Sequence, residues 1–488
     1  MVSAGAPATS PSFIGNLVER SPFLAGLALV VLTVLTHAVI LAAPGFYAND
    51  EWQKFDHIRL HGFWDFARAY GTIRPGPEFG YPVRPIGFMQ QGIAARWMQS
   101  APWMSHLVGV TNHALVAVTF VWVLRRAGVA SATAFVAGML FVLSPLTTMA
   151  TGWLAASFDQ LYILFLLFAA AAIVKLPAEG MSARRAALIL LATTAALLAK
   201  ETAIVAPGVV LLLGYLAWSA NPKGFSWRPF GMAFVIVLLP VVAYLLFRVP
   251  AITVSIAGQA DPAYTPDLRN VPGNAWRFFA FPFRLKLVEM SAAVFRSPWQ
   301  PLLAGAVHLA LVGAVYRSFG ARYVPAYVAG YFLFLLPVMA LPNPGIQCLY
   351  GAALAMSLAI AAVWERLLAN RHPGPALLIA AAAVCLFAHG LVIQRQFYDV
   401  GQCQTRFLAS VDTLLAQQPA ATTASIVVVP EPGAPMRIGI RAVSAREAYT
   451  TNGRPIVTFE SPDQREAAPP VDDALRVRMT AACTLAPK

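Results

Sequence analysis

The chain has 488 residues, of which 58% are apolar and only 12% charged, with a mean hydropathy of +0.64. A soluble domain carries about 25% charged residues, so this composition excludes a soluble enzyme and describes a polytopic membrane protein. A net charge of +13 would suggest nucleic acid in a soluble chain, but no nucleic-acid module is legible, and the position of the cations carries more information than their sum.

Residues 1–22 form a lead-in expected on the cytoplasmic side. The apolar run Phe23 to Ala43 is long enough to cross a hydrocarbon core. It exceeds a signal-peptide core and no clear small-x-small cleavage site follows, so the first span is expected to stay. It ends in Pro44-Gly45-Phe46-Tyr47-Ala48-Asn49 before Asp50-Glu51-Trp52, which places an acidic pair just outside the lipid.

The loop 44–103 is too long for a plain connection. Trp52, Phe55, Ile58, Phe63 and Phe66 recur at roughly helical spacing with Lys54, Asp56, Arg59 and Asp65 between them, the pattern of a helix lying in the interface. A second amphipathic piece runs from Ile86 to Met98, and Trp97 and Trp103 suit an aromatic belt. His57 and His61 stand four apart next to Asp56 and Asp65, a candidate metal-ligand face. With no third clear ligand, an ordinary amphipathic helix is the preferred reading.

Apolar stretches of about 17 to 25 residues give about eleven spans: 23–43, 104–124, 132–150, 159–174, 186–199, 202–219, 231–248, 300–316, 323–341, 347–363 and 375–393. With a cytoplasmic N-terminus, the short inner loops carry Arg125, Arg126, Lys175, Arg184, Arg185, Lys223, Arg228, Arg317, Arg322, Arg366 and Arg371 against only Glu179 and Glu365. That is the positive-inside pattern. The same orientation sends Asp50-Glu51, Trp153 to Asp159, Lys200-Glu201, the segment Pro250 to Trp299 and the turn Asn343 to Tyr350 to one outer face. A shared active site requires such one-sidedness, and scattered structural charges do not.

From about Gln394 the composition becomes soluble, with Ser425-Ile426-Val427-Val428-Val429 as a strand and Ala467-Ala468-Pro469-Pro470 as linker. The expected division is therefore 1–22 cytoplasmic, 23–393 transmembrane with outer loops 44–103 and 249–299, and 394–488 a small periplasmic α/β tail. Cys403 and Cys483 both fall in that tail, where an oxidising compartment permits pairing; two unpaired buried thiols stay open as the alternative.

Four groups of residues are candidates for chemistry. Asp50 and Glu51, partly desolvated at the lipid boundary, suit a general base toward a hydroxyl, against a bland reading as helix-capping charges. Asp159 closes the outer link that begins at Ser144-Pro145; alone it reads as an N-cap. Lys200-Glu201 interrupts apolar sequence with almost no loop, and a cation at that depth could hold a phosphate with Glu201 orienting it, where the bland account is lysine snorkelling. Arg269, Arg277, Arg284, Lys286 and Arg296 interleave with Trp276, Phe278, Phe279, Phe281 and Phe283. That segment is either a basic, aromatic site for an anionic lipid head group or a long outer loop free to carry cations. No phosphate-binding Gly-rich loop, nucleophile elbow or internal repeat is present in the sequence, so no ATP-driven engine is legible.

In order, these motifs resemble the GT-C membrane glycosyltransferases, in particular the branch of protein O-mannosyltransferases and transmembrane tetratricopeptide-repeat mannosyltransferases, here without the repeat array. Asn49-Asp50-Glu51 resembles the acidic motif of the first outer loop, and Tyr81-Pro82-Val83-Arg84-Pro85-Ile86 resembles an aromatic-x-Arg-Pro-Leu segment. Pro145 through Trp153 to Asp159 resembles a Pro-Trp-Asp stretch, and Ala199-Lys200-Glu201-Thr202 a Ser-Lys-Glu-Thr segment. Gln347-Cys348-Leu349-Tyr350 stands in the place of an Arg-Tyr-Leu-Tyr motif, with Gln347 where arginine is expected.

The resemblance implies an all-α GT-C-type bundle of about eleven spans with interfacial helices in the first outer loop. It also implies inverting transfer of a sugar from a polyprenyl-phosphate donor to the hydroxyl of a glycan, glycolipid or protein acceptor, on the periplasmic face of a bacterial inner membrane. Asp50 would be the base; Glu51 and Asp159 would complete the catalytic set. Arg84, Lys200, Glu201, Arg269, Arg277, Arg284 and Tyr350 would serve the donor phosphate. No cofactor is implied, and a divalent metal is left open. A lipid-linked glycan ligase or polymerase, and a flippase or carrier for a lipid-linked sugar, stay open as alternatives.

Overall fold

The computed structural model describes residues 19–47, 49–71, 83–256, 266–280, 299–342, 344–417, 425–444, 446–451, 454–460 and 475–487. Helices dominate. Among the described residues six are long and apolar enough to cross a membrane: Pro102–Arg126, Leu154–Glu179, Glu201–Ala220, Arg228–Pro250, Ile346–Ala369 and Pro373–Ala416.

Of the other expected spans, 300–316 is an unbroken helix, Trp299–Phe319, 186–199 is the shorter helix Ala183–Ala199, and the remaining three are interrupted for local reasons. The segment 132–150 splits into Ser131–Leu143 and Pro145–Gly152, bent by 58°. Ser144 precedes a proline, which disfavours helical backbone there; it sits extended at ψ 131 and its hydroxyl accepts from the Leu146 N–H. The first span runs only from Pro22 to Thr36 before His37 interrupts it. The segment 323–341 is helical over Tyr323–Leu333 and then tightens into a short turn at Leu336–Val338, around Pro337.

The helix Leu154–Glu179 lies at the centre of the bundle. Along it Ala169, Ala170, Ala171 and Ala172 are all buried, and small side chains let neighbouring backbones approach where no water drives helices together. By contrast, Leu377, Leu378 and Val384 on Pro373–Ala416 are exposed, as a lipid-facing surface requires. That last helix has 44 residues, so at about 1.5 Å each it runs roughly 66 Å, twice a hydrocarbon core of about 30 Å. Its second half must project beyond the bilayer, and there it becomes a mast.

The mast holds the first loop and the tail. Gly45 and Gly401 meet backbone to backbone: a Cβ at Gly45 would lie 2.5 Å from the Gly401 carbonyl oxygen. Gln404 accepts from Trp52 Nε1 at 3.1 Å and donates to the Tyr47 carbonyl at 3.3 Å. Cys403 is disulfide-bonded to Cys483, which resolves the alternative left open by sequence and ties the end of the tail to the mast.

The tail forms a four-stranded sheet of β1 (Ile426–Pro430), β4 (Val457–Phe459), β5 (Leu475–Met479) and β6 (Leu485–Pro487) in the order β4-β1-β5-β6. Strand β1 is parallel to β4 and β5, and β5 is antiparallel to β6. A two-stranded ribbon, β2 (Thr450–Thr451) with β3 (Arg454–Pro455), stands beside it. Just before β2, Arg446 forks onto Asp56 of the first-loop helix Asn49–His61, with Nε and Nη2 at 2.8 and 2.7 Å from the two carboxylate oxygens. Both side chains are buried.

Leaving one member of a buried pair uncompensated costs about 3–5 kcal/mol, whereas replacing both by apolar groups is often neutral. Asp56→Ala is therefore expected to speed protease cleavage of the tail in nanodiscs several-fold, and Asp56→Leu combined with Arg446→Met to restore most of the protection.

Candidate functional site

Three segments far apart in sequence converge at one end of the bundle. The helix Pro85–Ala95 starts at Arg84, where proline at its first position sets the entry angle. It can lie close against the central helix only because residue 87 is glycine. A Cβ there would fall 2.1 Å from the Phe158 ring and 3.1 Å from the Ala199 carbonyl oxygen. The contact brings Arg84 over the Phe158 face, 5.0 Å from the ring centroid.

From the third segment come Lys200 and Glu201, at the junction between the helix Ala183–Ala199 and the turn Glu201–Val205. Lys200 is extended (φ −160, ψ 136), and in extended backbone successive side chains point to opposite sides. The two neighbours accordingly serve different partners. Lys200 Nζ lies 2.6 Å from both carboxylate oxygens of Asp159, in the first turn of Ser157–Ile173. Glu201 takes a two-pronged bond from Arg84, through Nε at 2.6 Å and through Nη2. Sequence reasoning had Glu201 orienting Lys200; in the structure Asp159 orients Lys200 and Glu201 orients Arg84, because the chain is extended between them.

Asp159 and Lys200 are almost wholly buried, at 1% and 6% exposure. Isolated charges there would be very costly, so each is tolerable only with its partner. The four charges sum to zero. What the arrangement supplies is a set of oriented donors: Arg84 has five N–H groups and Lys200 three, and neither is exhausted by its carboxylate. Around them, Ser157 Oγ, Tyr162 Oη and Trp153 Nε1 are buried without a hydrogen-bond partner among the described residues.

The acidic pair of the first loop divides its work. Glu51 is buried and its carboxylate accepts from the Tyr47 N–H at 2.9 Å and the Leu154 N–H at 2.7 Å. It thereby fixes the first loop to the turn that leads into Asp159. Asp50 is only half-buried, in the first turn of Asn49–His61.

Lys54 is the residue that sequence reasoning passed over. It is 7% exposed, with its ammonium 5.2 Å from the Tyr70 ring centroid and 5.6 Å from that of Phe88. Burial pushes it below the ordinary lysine range; the charge of Asp50 opposes that shift and the Arg84 cation adds to it. Lys54 thus links Asp50 electrostatically to Arg84 and the quartet. The signal was available, since Lys54 stands four residues after Asp50 on one helix face.

The remaining candidates lie elsewhere or are otherwise engaged. Tyr350 is fully buried, and its hydroxyl is hydrogen-bonded to His113 Nδ1 at 2.8 Å. Arg269 is exposed beside Asp267 at 3.5 Å. Arg277 donates to Asn274 Oδ1 at 3.1 Å and to the Pro342 carbonyl at 3.3 Å. Among the described residues neither arginine bonds to a member of the quartet. Arg284, Lys286 and Arg296, with Phe281, Phe283, Tyr81 and Pro82, lie outside the described residues.

No protein-family model matches the chain, and no curated protein does. Solved structures resemble it in outline. The oligosaccharyltransferase of Archaeoglobus fulgidus, tethered to an acceptor peptide with the NVT sequon, aligns at 12% identity and a TM-score of 0.48 over 92% of this chain. The same archaeal enzyme, AglB, with an inhibitory peptide and a dolichol-phosphate aligns at 13% identity and 0.46 over 90%. The arabinofuranosyltransferase AftD from Mycobacteria aligns at 16% identity and 0.47 over 91%. The chain spans 65% of the archaeal protein and 32% of AftD. Likeness at this level assigns neither activity nor site residues.

Two outcomes follow from the geometry. Asp159→Asn should destabilise the protein by about 3–5 kcal/mol because it strands Lys200; the double variant Asp159→Asn/Lys200→Gln should cost clearly less than the two single changes summed, measured by unfolding in detergent. For Lys54, the folded state loses its proton at a lower pH than the unfolded chain does, so across that interval the unfolded chain binds more protons and stability rises with pH. Lys54→Met should therefore stabilise the fold at neutral pH, with a gain that shrinks as pH climbs toward the ordinary lysine range. A gain independent of pH would contradict the depressed lysine.

Proposed function

We propose that this chain is an inverting glycosyltransferase that moves a sugar from a polyprenyl-phosphate donor to an acceptor hydroxyl on the periplasmic face of a bacterial inner membrane. The observation that carries this reading is the convergence of Arg84, Asp159, Lys200 and Glu201 into two mutually dependent ion pairs, beside the loop that presents Asp50 and Lys54. Its sequence counterpart is the ordered set of motifs resembling the GT-C enzymes.

In this mechanism the isoprenoid tail lies among the membrane helices while its phosphate meets the oriented donors of Arg84 and Lys200. Those donors cost no reorganisation when charge develops on the departing phosphate. Asp159 and Glu201 hold the cations in place. Lys54, whose ammonium has no carboxylate within ion-pair distance among the described residues, gains from an anion nearby and joins them as a third phosphate contact. Asp50 accepts the proton of the acceptor hydroxyl as that oxygen attacks the anomeric carbon from the side opposite the phosphate. Glu51 positions Asp50 by anchoring their shared turn.

The membrane orientation in this reading, N-terminus cytoplasmic and tail periplasmic, follows from the inner-loop cations. The Cys403–Cys483 disulfide supports it, since such bonds persist in oxidising compartments. Residues 394–488 act as the periplasmic part and 23–393 as the catalytic membrane part.

Purified protein in proteoliposomes is expected to transfer one sugar per acceptor from a polyprenyl-phosphate sugar. Asp50→Asn should lower turnover at least 100-fold with donor affinity kept, while Lys200→Ala should weaken donor affinity. Wild-type turnover in Asp50→Asn would remove it as base. Acceptor products bearing many sugars would indicate a ligase or polymerase, and donor moved across the bilayer without being consumed would indicate a carrier.

A further inference from the structure

The helix Asn49–His61 carries His57 and His61 on one face, with ring centroids 4.9 Å apart. The structure adds the third ligand that the sequence lacked. Glu447, in the short turn Glu447–Tyr449 of the tail, lies 386 positions from His61 and places Oε2 2.8 Å from His61 Nε2. Its Oε1 lies 3.9 Å from His57 Nδ1. One donor atom from each of the three residues falls within 4.8 Å of the others.

The second ring nitrogen of His57 is also engaged. Nε2 lies 3.2 Å from Asp65 Oδ2; a carboxylate only accepts, so Nε2 is the donor there and Nδ1, the nitrogen nearer Glu447, is the one left to ligate a metal. A carboxylate behind a ligating histidine is the arrangement that fixes tautomer and ring direction in metal sites. Tyr70 and Phe66, with ring centroids 5.4 and 6.0 Å away, hold the same imidazole edge-on. His57 is mostly covered while His61 and Glu447 are about half exposed, at 15%, 48% and 49%, so an ion can enter from solvent.

We propose that His57 Nδ1, His61 Nε2 and a Glu447 carboxylate oxygen form a binding site for a divalent transition metal, with zinc the ion that best fits the donor set, and that the ion clamps the tail to the first-loop helix. Two imidazoles and a carboxylate with water in the fourth position are a common open zinc set, with bonds of about 2.0–2.2 Å and hence ligand atoms about 3.3 Å apart. The three donor atoms now lie within 4.8 Å of one another, so the side chains close onto the ion as it binds. When zinc binds, the proton that His61 Nε2 shares with Glu447 leaves to solvent, and both atoms turn their lone pairs to the metal. This site lies on the tail-facing side of the helix that also carries Asp50 and Lys54, and it does not depend on the transferase reading.

The test uses the full chain without a polyhistidine tag, stripped with chelator and titrated with zinc in nanodiscs by calorimetry, with bound metal counted by mass spectrometry. One zinc per chain is expected, not displaced by millimolar magnesium. His61→Ala and Glu447→Gln should each weaken binding at least 10-fold, and Asp65→Asn about 10- to 100-fold. Zinc should also slow protease cleavage of the tail in the wild type and not in Glu447→Gln, a half-exposed conservative change that leaves the Asp56–Arg446 pair in place. Unchanged zinc affinity in His57→Ala/His61→Ala, or zinc bound equally well with no effect on tail cleavage, would overturn the proposal.

Discussion

Asp159 and Lys200, buried at one end of a membrane bundle, cannot exist singly, and the architecture follows from that constraint. Lys200 needs Asp159, and Arg84 needs Glu201. Because Lys200 and Glu201 are adjacent in an extended turn, the two pairs are mechanically one unit: moving either partner segment strains both. Gly87 then sets how near the helix Pro85–Ala95 can come, and Phe158 lies under Arg84 as well as next to Asp159. The result is a platform built from the ends of three packed helices.

The first loop is fixed to that platform from two sides. Glu51 fastens it to Leu154, and the projecting half of Pro373–Ala416 fastens it through Gly401, Gln404 and the backbone of residues 44–47. The tail adds a third attachment through the buried Asp56–Arg446 fork. Asp50 is thus carried on a helix held at its start, middle and end, although the helix itself is short and mostly polar. In the transferase reading, this is how a carboxylate in a loop acquires the precision expected of a base.

Much of the class was legible in the sequence because hydrophobic length and charge position are summed over many residues. The helical bundle, the helices of the first loop and the strand at Ile426–Pro430 appear where periodicity placed them. Span integrity was less legible: Ser144-Pro145, His37 and Pro337 break segments whose average hydropathy looks continuous. The segments that meet at the site were identified, but their pairing was not, since proximity in sequence suggested Lys200 with Glu201 while the extended backbone turned them apart. Glu447 and Arg446 could not be ranked from sequence because their significance arises from contacts several hundred residues away. For Tyr350 and Arg277 the structure shows occupied hydrogen-bonding groups, which residue type alone does not reveal.

The central claim is that the Arg84–Glu201 and Asp159–Lys200 unit receives the phosphate of an isoprenoid lipid. A polyprenyl phosphate bearing a photoreactive group beside the phosphate tests it directly, by mass-spectrometric mapping of the labelled peptides. The account predicts labels on the peptides containing Arg84 and Lys200, competed by unlabelled lipid phosphate and sharply reduced in Lys200→Ala. Labels confined to lipid-facing positions such as Leu377 and Leu378, indifferent to competitor, would contradict it.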